Sequence, residues 1–362
     1  MVPAGMESQP LLGTHRAQQD TRFWVCVRRT LLILFWAAYI TVVVFAVVLV
    51  IQAYHPPPPS AWHQRRVICR NTGPQQTGVT ARIQAASVLG CGGLILSQDE
   101  VGEPGVKALV EEAQRYGVRT VLEVPLLEKY SRQQVQRLKD TARSWLQDGV
   151  SAFWLSGERR TTIMMMSQIL QDEAKVVSTE DRLILFPEWM CDDDNLPQNK
   201  SFLLRTCPLP GWNPAQVTEG SHRENVAWEV VSDDPDAPQL RKFLAATLPG
   251  TIIVSLNQSL APPFWLRSLL LLRFQNPALY AGWLQVKSNG SSYSAVSHLG
   301  CSTLLIIIGH SDQSYNMSLL ETHFSSARLL LSTRREHNRG QVLQEGVRLQ
   351  PGEAQLLRLI PL

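Results

Sequence analysis

The segment FWLSGE, Phe153–Glu158, closes a run with the apolar texture of a buried parallel strand. The C-terminal end of such a strand is where a parallel α/β protein places its reactive groups. This strand delivers Trp154 and Ser156 there, and neither is a carboxylate. A serine needs an adjacent base to act as a nucleophile, and no histidine stands nearby in the sequence. A second candidate is CDDDN, where Asp192, Asp193 and Asp194 contain an Asp-x-Asp pair able to hold a divalent ion for a nucleotide sugar. The competing reading is a solvated acidic loop beside a glycosylation triplet. None of the patterns H-E-x-x-H, C-x-x-C or G-x-S-x-G occurs, so zinc-protease, dithiol and serine-hydrolase chemistry are not indicated. The triplet Met164–Met166 reads as helix-core packing, and STRREHNRG, Ser332–Gly340, as a basic hairpin tip. Neither a metal nor another cofactor is expected.

The elements that must position these residues alternate. RVICR (Arg66–Arg70) and GGLILS (Gly92–Ser97) have strand character. PGVKALVEEAQRYG places Val106, Leu109, Val110 and Ala113 on one helical face and stops at Gly117. VRTVLEVP is the next strand. A helix then begins after Ser131 as N-cap, with Val135, Leu138, Ala142 and Trp145 as its apolar stripe and Gly149 at its end. VSAFWLS, a helix around Ile163–Lys175 and DRLILFPEW continue the rhythm. Strand–helix alternation implies a parallel sheet with right-handed crossovers, either a closed (β/α) barrel or an open doubly wound sheet. A helical stretch runs from Ala261 to Phe274. Beyond it, CSTLLIIIG, SARLLLS and AQLLRLIPL, separated by polar turns, predict a small antiparallel sheet domain within Ser294–Leu362.

At 362 residues the chain is long enough for two folded domains, and its formal net charge of +3 gives no reason to expect nucleic acid. The uncharged run from Leu31 to about Gln52 is long enough to cross a bilayer as a helix. It is too long for a signal-peptide core, and AYHPPPPS after it offers no cleavage site, so it is expected to stay as a signal-anchor. Arg16, Arg22, Arg28 and Arg29 precede the span, while Arg65, Arg66 and Arg70 follow at a distance, which favours the N-terminus inside. The glycosylation acceptors Asn199, Asn257, Asn289 and Asn316 all follow it, which agrees with a type II protein. The tail carries ESQPLL, where Glu7 precedes the Leu11–Leu12 pair as in endosomal and lysosomal sorting signals; the alternative is an ordinary unstructured tail. The prolines of HPPPPS form a short stiff spacer. Cys69, Cys91, Cys191, Cys207 and Cys301 follow the span. Cys191 and Cys207 suit a local loop. For the others, buried unpaired thiols compete equally with disulfides, and for Cys69, in a strand, burial is the preferred reading.

Several collinear segments together resemble the heavy subunits of heteromeric amino acid transporters, the solute carrier 3 family. They are TLLILFW, GVRTVLEV, WLQDGVSAFWL, EDRLIL, LRKFLAATLPGT and ARLLLST, and they cover most of residues 28–362. The resemblance implies a type II glycoprotein with an α-amylase-like part: a (β/α) barrel plus a C-terminal antiparallel β domain. The implied boundaries are a cytosolic tail 1–29, a transmembrane helix 30–52, a proline-rich neck 53–64, a compact barrel 65–275, either complete or shortened, and the β domain 276–362. By the amylase pattern Trp154 stands in place of an arginine and Ser156 in place of the nucleophilic aspartate. Glu188 falls where an amylase keeps its acid/base, and Asp236 where it keeps the third acidic residue. One acid without a nucleophile does not hydrolyse a glycoside. Both read more simply as surface carboxylates.

The function implied is a non-enzymatic accessory subunit that stabilises and escorts a multi-pass amino acid transporter at the plasma membrane, or at endolysosomes if the dileucine is read. In that family a cysteine just outside the membrane crosslinks to the transporter light subunit. Counted without a gap from Phe35–Trp36, that position is Pro56, so the partnership is expected to be non-covalent, with membrane lipid as the other neighbour. The competing readings are a Golgi type II glycosyltransferase using the Asp192–Asp194 loop as its metal site, and an active glycosidase relying on Glu188 and Asp236.

Overall fold

The computed structural model describes residues 14–53, 61–71, 78–97, 105–177, 182–191, 203–209, 226–230, 238–256, 262–288, 292–299, 302–309, 314–318, 324–335, 339–344 and 346–361. The chain forms two units, Met1–Pro56 and Pro57–Leu362. The first contains one long helix, α1 (Thr14–Ala53), whose Trp24–Val48 stretch is long and apolar enough to cross a membrane. Its side chains there are exposed, as a helix that meets lipid rather than a protein core requires. The helix begins well before the apolar run, so part of the segment read as a tail is helical. The Glu7–Leu12 signal and Pro56 lie outside the described residues.

The second unit opens with a short helix, α2 (Trp62–Arg65), and then eight parallel strands. These are β1 (Ile68–Asn71), β2 (Gly93–Ser97), β3 (Arg119–Pro125), β4 (Ala152–Ser156), β5 (Leu183–Phe186), β6 (Leu203–Pro208), β7 (Val226–Val230) and β8 (Thr251–Leu256). Each pairs with the next, and β8 returns to β1 with Ile68 opposite Ile253, which closes the barrel. All eight strands are present, and closure leaves no edge to protect. Helices α3 (Val79–Leu89), α4 (Gly105–Arg115), α5 (Arg132–Gln147), α6 (Arg160–Val177), α7 (Pro238–Thr247), α8 (Phe264–Gln275) and the short α9 (Ala278–Ala281) complete the unit.

Local chemistry sets these boundaries. Ser131 caps α5 with a full capping box: its hydroxyl accepts from the Gln134 N–H, and the Gln134 side chain accepts from the Ser131 N–H. Ala142 and Trp145 of the expected stripe are buried, with Val135 and Leu138 at its half-buried margin. Helix α3 ends at Gly90, whose φ of 95° only glycine adopts without cost, and the chain turns directly into β2.

Cys69 on β1 is bonded to Cys91, and Cys191 to Cys207 on β6. The second bridge is the local loop expected. The first corrects the preference for an unpaired Cys69: β1 and β2 are adjacent parallel strands, and their pairing brings Cys91 within a Cα distance of 6.0 Å. Cys26 on α1 is a free, exposed thiol, and Cys301 lies outside the described residues.

The C-terminal part is a six-stranded antiparallel sheet, ordered β14–β13–β16–β11–β10–β9. Its strands are β9 (Trp283–Ser288), β10 (Ser292–Leu299), β11 (Ser302–Gly309), β13 (Phe324–Ser332), β14 (Val342–Leu343) and β16 (Ala354–Pro361). A ribbon of β12 (Tyr315–Ser318) and β15 (Gly346–Leu349) accompanies it. Alternation divides β11 between two cores: Leu304, Ile306 and Ile308 join Trp265 and Leu269 of α8, while Leu305 and Ile307 pack with Val347 and Leu349 of β15. The three apolar runs expected to be strands are β11, β13 and β16.

Candidate functional site

Period-two alternation decides what enters the barrel. Ile68, Ile95, Val121, Ala152, Trp154, Leu183, Leu185, Leu204, Ala227 and Ile253 form one cluster, the packed interior. Positions of the same parity nearer the C-terminal strand ends are Arg70, Ser97, Glu123, Ser156, Thr206, Glu229 and Ser255. Hydrophobic layers thus give way to a polar layer at the mouth, where barrel enzymes carry out their chemistry.

Trp154 is the largest residue of the interior cluster and is only 4% exposed. In β-sheet register it lies beside Glu123 of β3 and Leu185 of β5. Arg70, from β1, places its guanidinium carbon 4.5 Å from the centre of the Trp154 ring. The same guanidinium donates through Nη1 to Glu229 Oε1 at 3.1 Å. Arg70 therefore bridges the mouth, stacked on a residue of β4 and ion-paired with one of β7. Glu229 is buried, whereas the Arg70 side chain keeps 33% of its exposure. A buried carboxylate without a partner is costly, and this cation offsets part of that cost.

Ser156 is half-buried. Its hydroxyl donates to the Val124 carbonyl at 3.4 Å, a long bond that supplies no activation. Glu229 accepts from Arg70, and Glu123 is half-buried on β3. The arrangement can hold a cation–π and ion-pair bridge. It does not place a carboxylate on β4.

Of the residues singled out from the sequence, Ser156 stands at the mouth and Trp154 in the packed interior beneath it. Glu188 begins a single 3₁₀ turn, Glu188–Met190, directly after β5, and its side chain lies outside what is described. Asp236, the Asp192–Asp194 loop, Asn199, Asn257 and Asn289 lie outside the described residues. Asn316 is in β12, opposite Arg348 of β15. Among the described residues no group of three or more His, Cys, Asp or Glu side chains is arranged to hold a metal. Sequence reading missed Arg70 and Glu229. The available signal was parity, since VAWEV puts Glu229 two residues beyond Ala227 on the inward side.

Comparison with known proteins supplies two matches. Residues 5–69 match the family model described as Solute carrier family 3 member 2 N-terminus. No curated protein matches the chain in sequence. Among solved structures, an α-amylase from Geobacillus thermoleovorans complexed with acarbose has a TM-score of 0.62 at 13% identity, covering 83% of this chain and 99% of that one. An isomaltulose synthase from Erwinia rhapontici NX5 has a TM-score of 0.59 at 11% identity, over 83% and 100%. An Anoxybacillus α-amylase has a TM-score of 0.57 at 11% identity, over 84% and 99%. At such identities the likeness establishes an α-amylase-like fold.

Proposed function

We propose that this chain, whose N-terminal residues match the solute carrier family 3 member 2 model and whose second unit has the α-amylase-like fold, is a transporter heavy subunit. It resembles the 4F2 cell-surface antigen heavy chain. On this reading α1 anchors a type II glycoprotein, and the barrel with its β domain is an extracellular scaffold for a multi-pass amino acid carrier.

The observation that carries the non-catalytic part is the content of β4. Where the amylase pattern calls for an arginine and a nucleophilic aspartate, the strand presents Trp154 packed inside the barrel and Ser156 bonded to a neighbouring carbonyl. Retaining glycosidases need two carboxylates about 5 Å apart, one to attack and one to protonate. Here Arg70 already engages Glu229, and the tryptophan ring takes the space beneath it.

Association with the carrier is non-covalent on this reading, because Pro56 stands where the family places its crosslinking cysteine, and four of the five cysteines beyond the span are engaged with each other. Purification of the full chain from cells in mild detergent, with and without reductant, tests both parts. A polytopic amino acid carrier should co-purify equally in both conditions. Its absence would remove the heavy-subunit reading, and its loss only under reductant would remove the non-covalent one. Glycosidase digestion of the purified chain should shift its mass, as lumenal acceptors such as Asn316 require.

A further inference from the structure

The barrel has a second feature at its opposite, N-terminal face. A cavity of about 340 Å³ opens there among the starts of β2 and β3 and the ends of α2 and α8. Three arginines, Arg65, Arg66 and Arg119, line it together with Trp62, Phe274 and two glycines, and among the described residues no lining residue is acidic. Bringing three guanidinium groups to one concavity raises the local positive potential, and a bound anion offsets that.

Two of these cations are held in place before any ligand arrives. The Arg66 guanidinium carbon lies 4.5 Å from the centre of the Phe274 ring, and its Nη1 donates to the Gly117 carbonyl at 3.3 Å. Arg119 lies 5.2 Å from the centre of the Trp62 ring. Guanidinium groups stacked on aromatic faces keep their N–H edges directed sideways, the geometry that pairs with two oxygens of a tetrahedral oxyanion. Pre-ordering also lowers the entropy cost of binding.

The backbone is shaped around the same two side chains. A Cβ at Gly92 would collide with the Arg66 side chain, and one at Gly93 would come within 3.0 Å of the Trp62 ring. The Gly92–Gly93 pair at the start of β2 therefore leaves the space in which Arg66 and Trp62 sit.

We propose that this cavity binds a phosphate- or sulfate-bearing anion, with Arg66 and Arg119 as its principal ligands and Arg65 at its rim. The site is independent of the barrel mouth and of the heavy-subunit reading. Such an anion has two sources, a soluble phosphate or sulfate compound and the headgroup of an acidic lipid.

The test uses the full chain in nanodiscs of pure phosphatidylcholine, titrated calorimetrically with inorganic pyrophosphate. Saturable binding is expected. Arg119→Gln, at an exposed position, should weaken it about tenfold or more, as loss of one charge-assisted interaction does. Arg66→Gln should do the same, and Arg137→Gln on the exposed face of α5, which removes the same charge elsewhere, should leave it unchanged. No binding to the unaltered chain at millimolar pyrophosphate, or binding unaffected by Arg119→Gln and Arg66→Gln, would overturn the proposal. Repeating the titration in nanodiscs with phosphatidylserine assigns the source: competition identifies the lipid headgroup, and undiminished binding identifies a soluble anion.

Discussion

Arg70 lies stacked on Trp154 across the mouth of the barrel, its guanidinium carbon 4.5 Å from the ring centre, and so ties β1 to β4 through the space above the core. Because the same group pairs with Glu229 at 3.1 Å, three strands share one contact. That space contains an arginine, a tryptophan and an ion-paired carboxylate.

Replacing Arg70 with methionine should therefore destabilise the protein by about 1–3 kcal/mol. Most of that comes from leaving the Glu229 carboxylate buried without its cation, and the partial exposure of Arg70 keeps the figure below that of a fully buried pair. The double variant Arg70→Met, Glu229→Met should recover most of the loss. Chemical denaturation of the single and double variants, read as a double-mutant cycle, measures the coupling.

Hydrolysis of 4-nitrophenyl α-glucoside by the purified chain should not exceed the blank rate, because no attacking carboxylate stands on β4. Hydrolysis above the blank that disappears in Glu188→Gln or Asp236→Asn would reinstate the glycosidase reading.

His63 on α2 is buried against the base of β8, where its Nδ1 shares a 2.6 Å hydrogen bond with the Thr251 hydroxyl. Desolvation by burial pulls its pKa from the ordinary 6.5 down to about 4. The unfolded chain thus binds a proton between these values while the folded protein does not, so stability falls as pH drops from about 6.5 to about 4 and is flat below that. The contribution is on the order of 3 kcal/mol. His63→Gln should flatten this part of the pH profile. Unfolding free energies of both proteins at pH 7, 5.5 and 4.5 isolate the difference from the background of titrating carboxylates.

Arg273 on α8 is fully buried, and its guanidinium donates to the carbonyls of Ala246, Leu248, Leu279, Gly250 and Gln64. It satisfies in one place the ends of α7, the approach to β8, α9 and α2. Burial pushes its pKa down to about 9, and it remains charged at neutral pH. Arg273→Leu should cost about 3–5 kcal/mol by leaving several buried carbonyls without donors. Arg273→Lys should rescue little, because an ammonium has three donors and no planar fork. Thermal unfolding of both variants checks the order.

The first half of the barrel was legible because its strands are apolar runs framed by well-signalled helices. VSAFWLS is followed by a helix, and α5 announces itself with Ser131 and stops before Gly149. The last strands were not read individually. LLRTCP and VAWEV carry Arg205 and Glu229 within otherwise apolar stretches, and polarity in so short a segment hides a strand from any periodicity test. Those polar residues have partners only once the strands are assembled: Arg205 donates to the Cys191 carbonyl, and Glu229 accepts from Arg70.

The disulfides divide in the same way. Cys191 and Cys207 are 16 positions apart and suggest a loop by themselves. Cys69 and Cys91 are 22 apart with a whole helix between them, and their bond follows from the parallel pairing of β1 and β2. Burial of a lone thiol in a strand was a reasonable expectation without that pairing.

The sequence alone determined the membrane-length helix, the parallel α/β order and the antiparallel C-terminal part, since composition and local periodicity carry all three, and residue identity gave the absence of a carboxylate at positions 154 and 156. Tertiary structure decided that the sheet closes, that Arg70 meets Trp154 and Glu229, and that three arginines surround one cavity. Those relations join residues of different strands and helices, and they meet only once the strands are paired into the barrel and the helices packed around it.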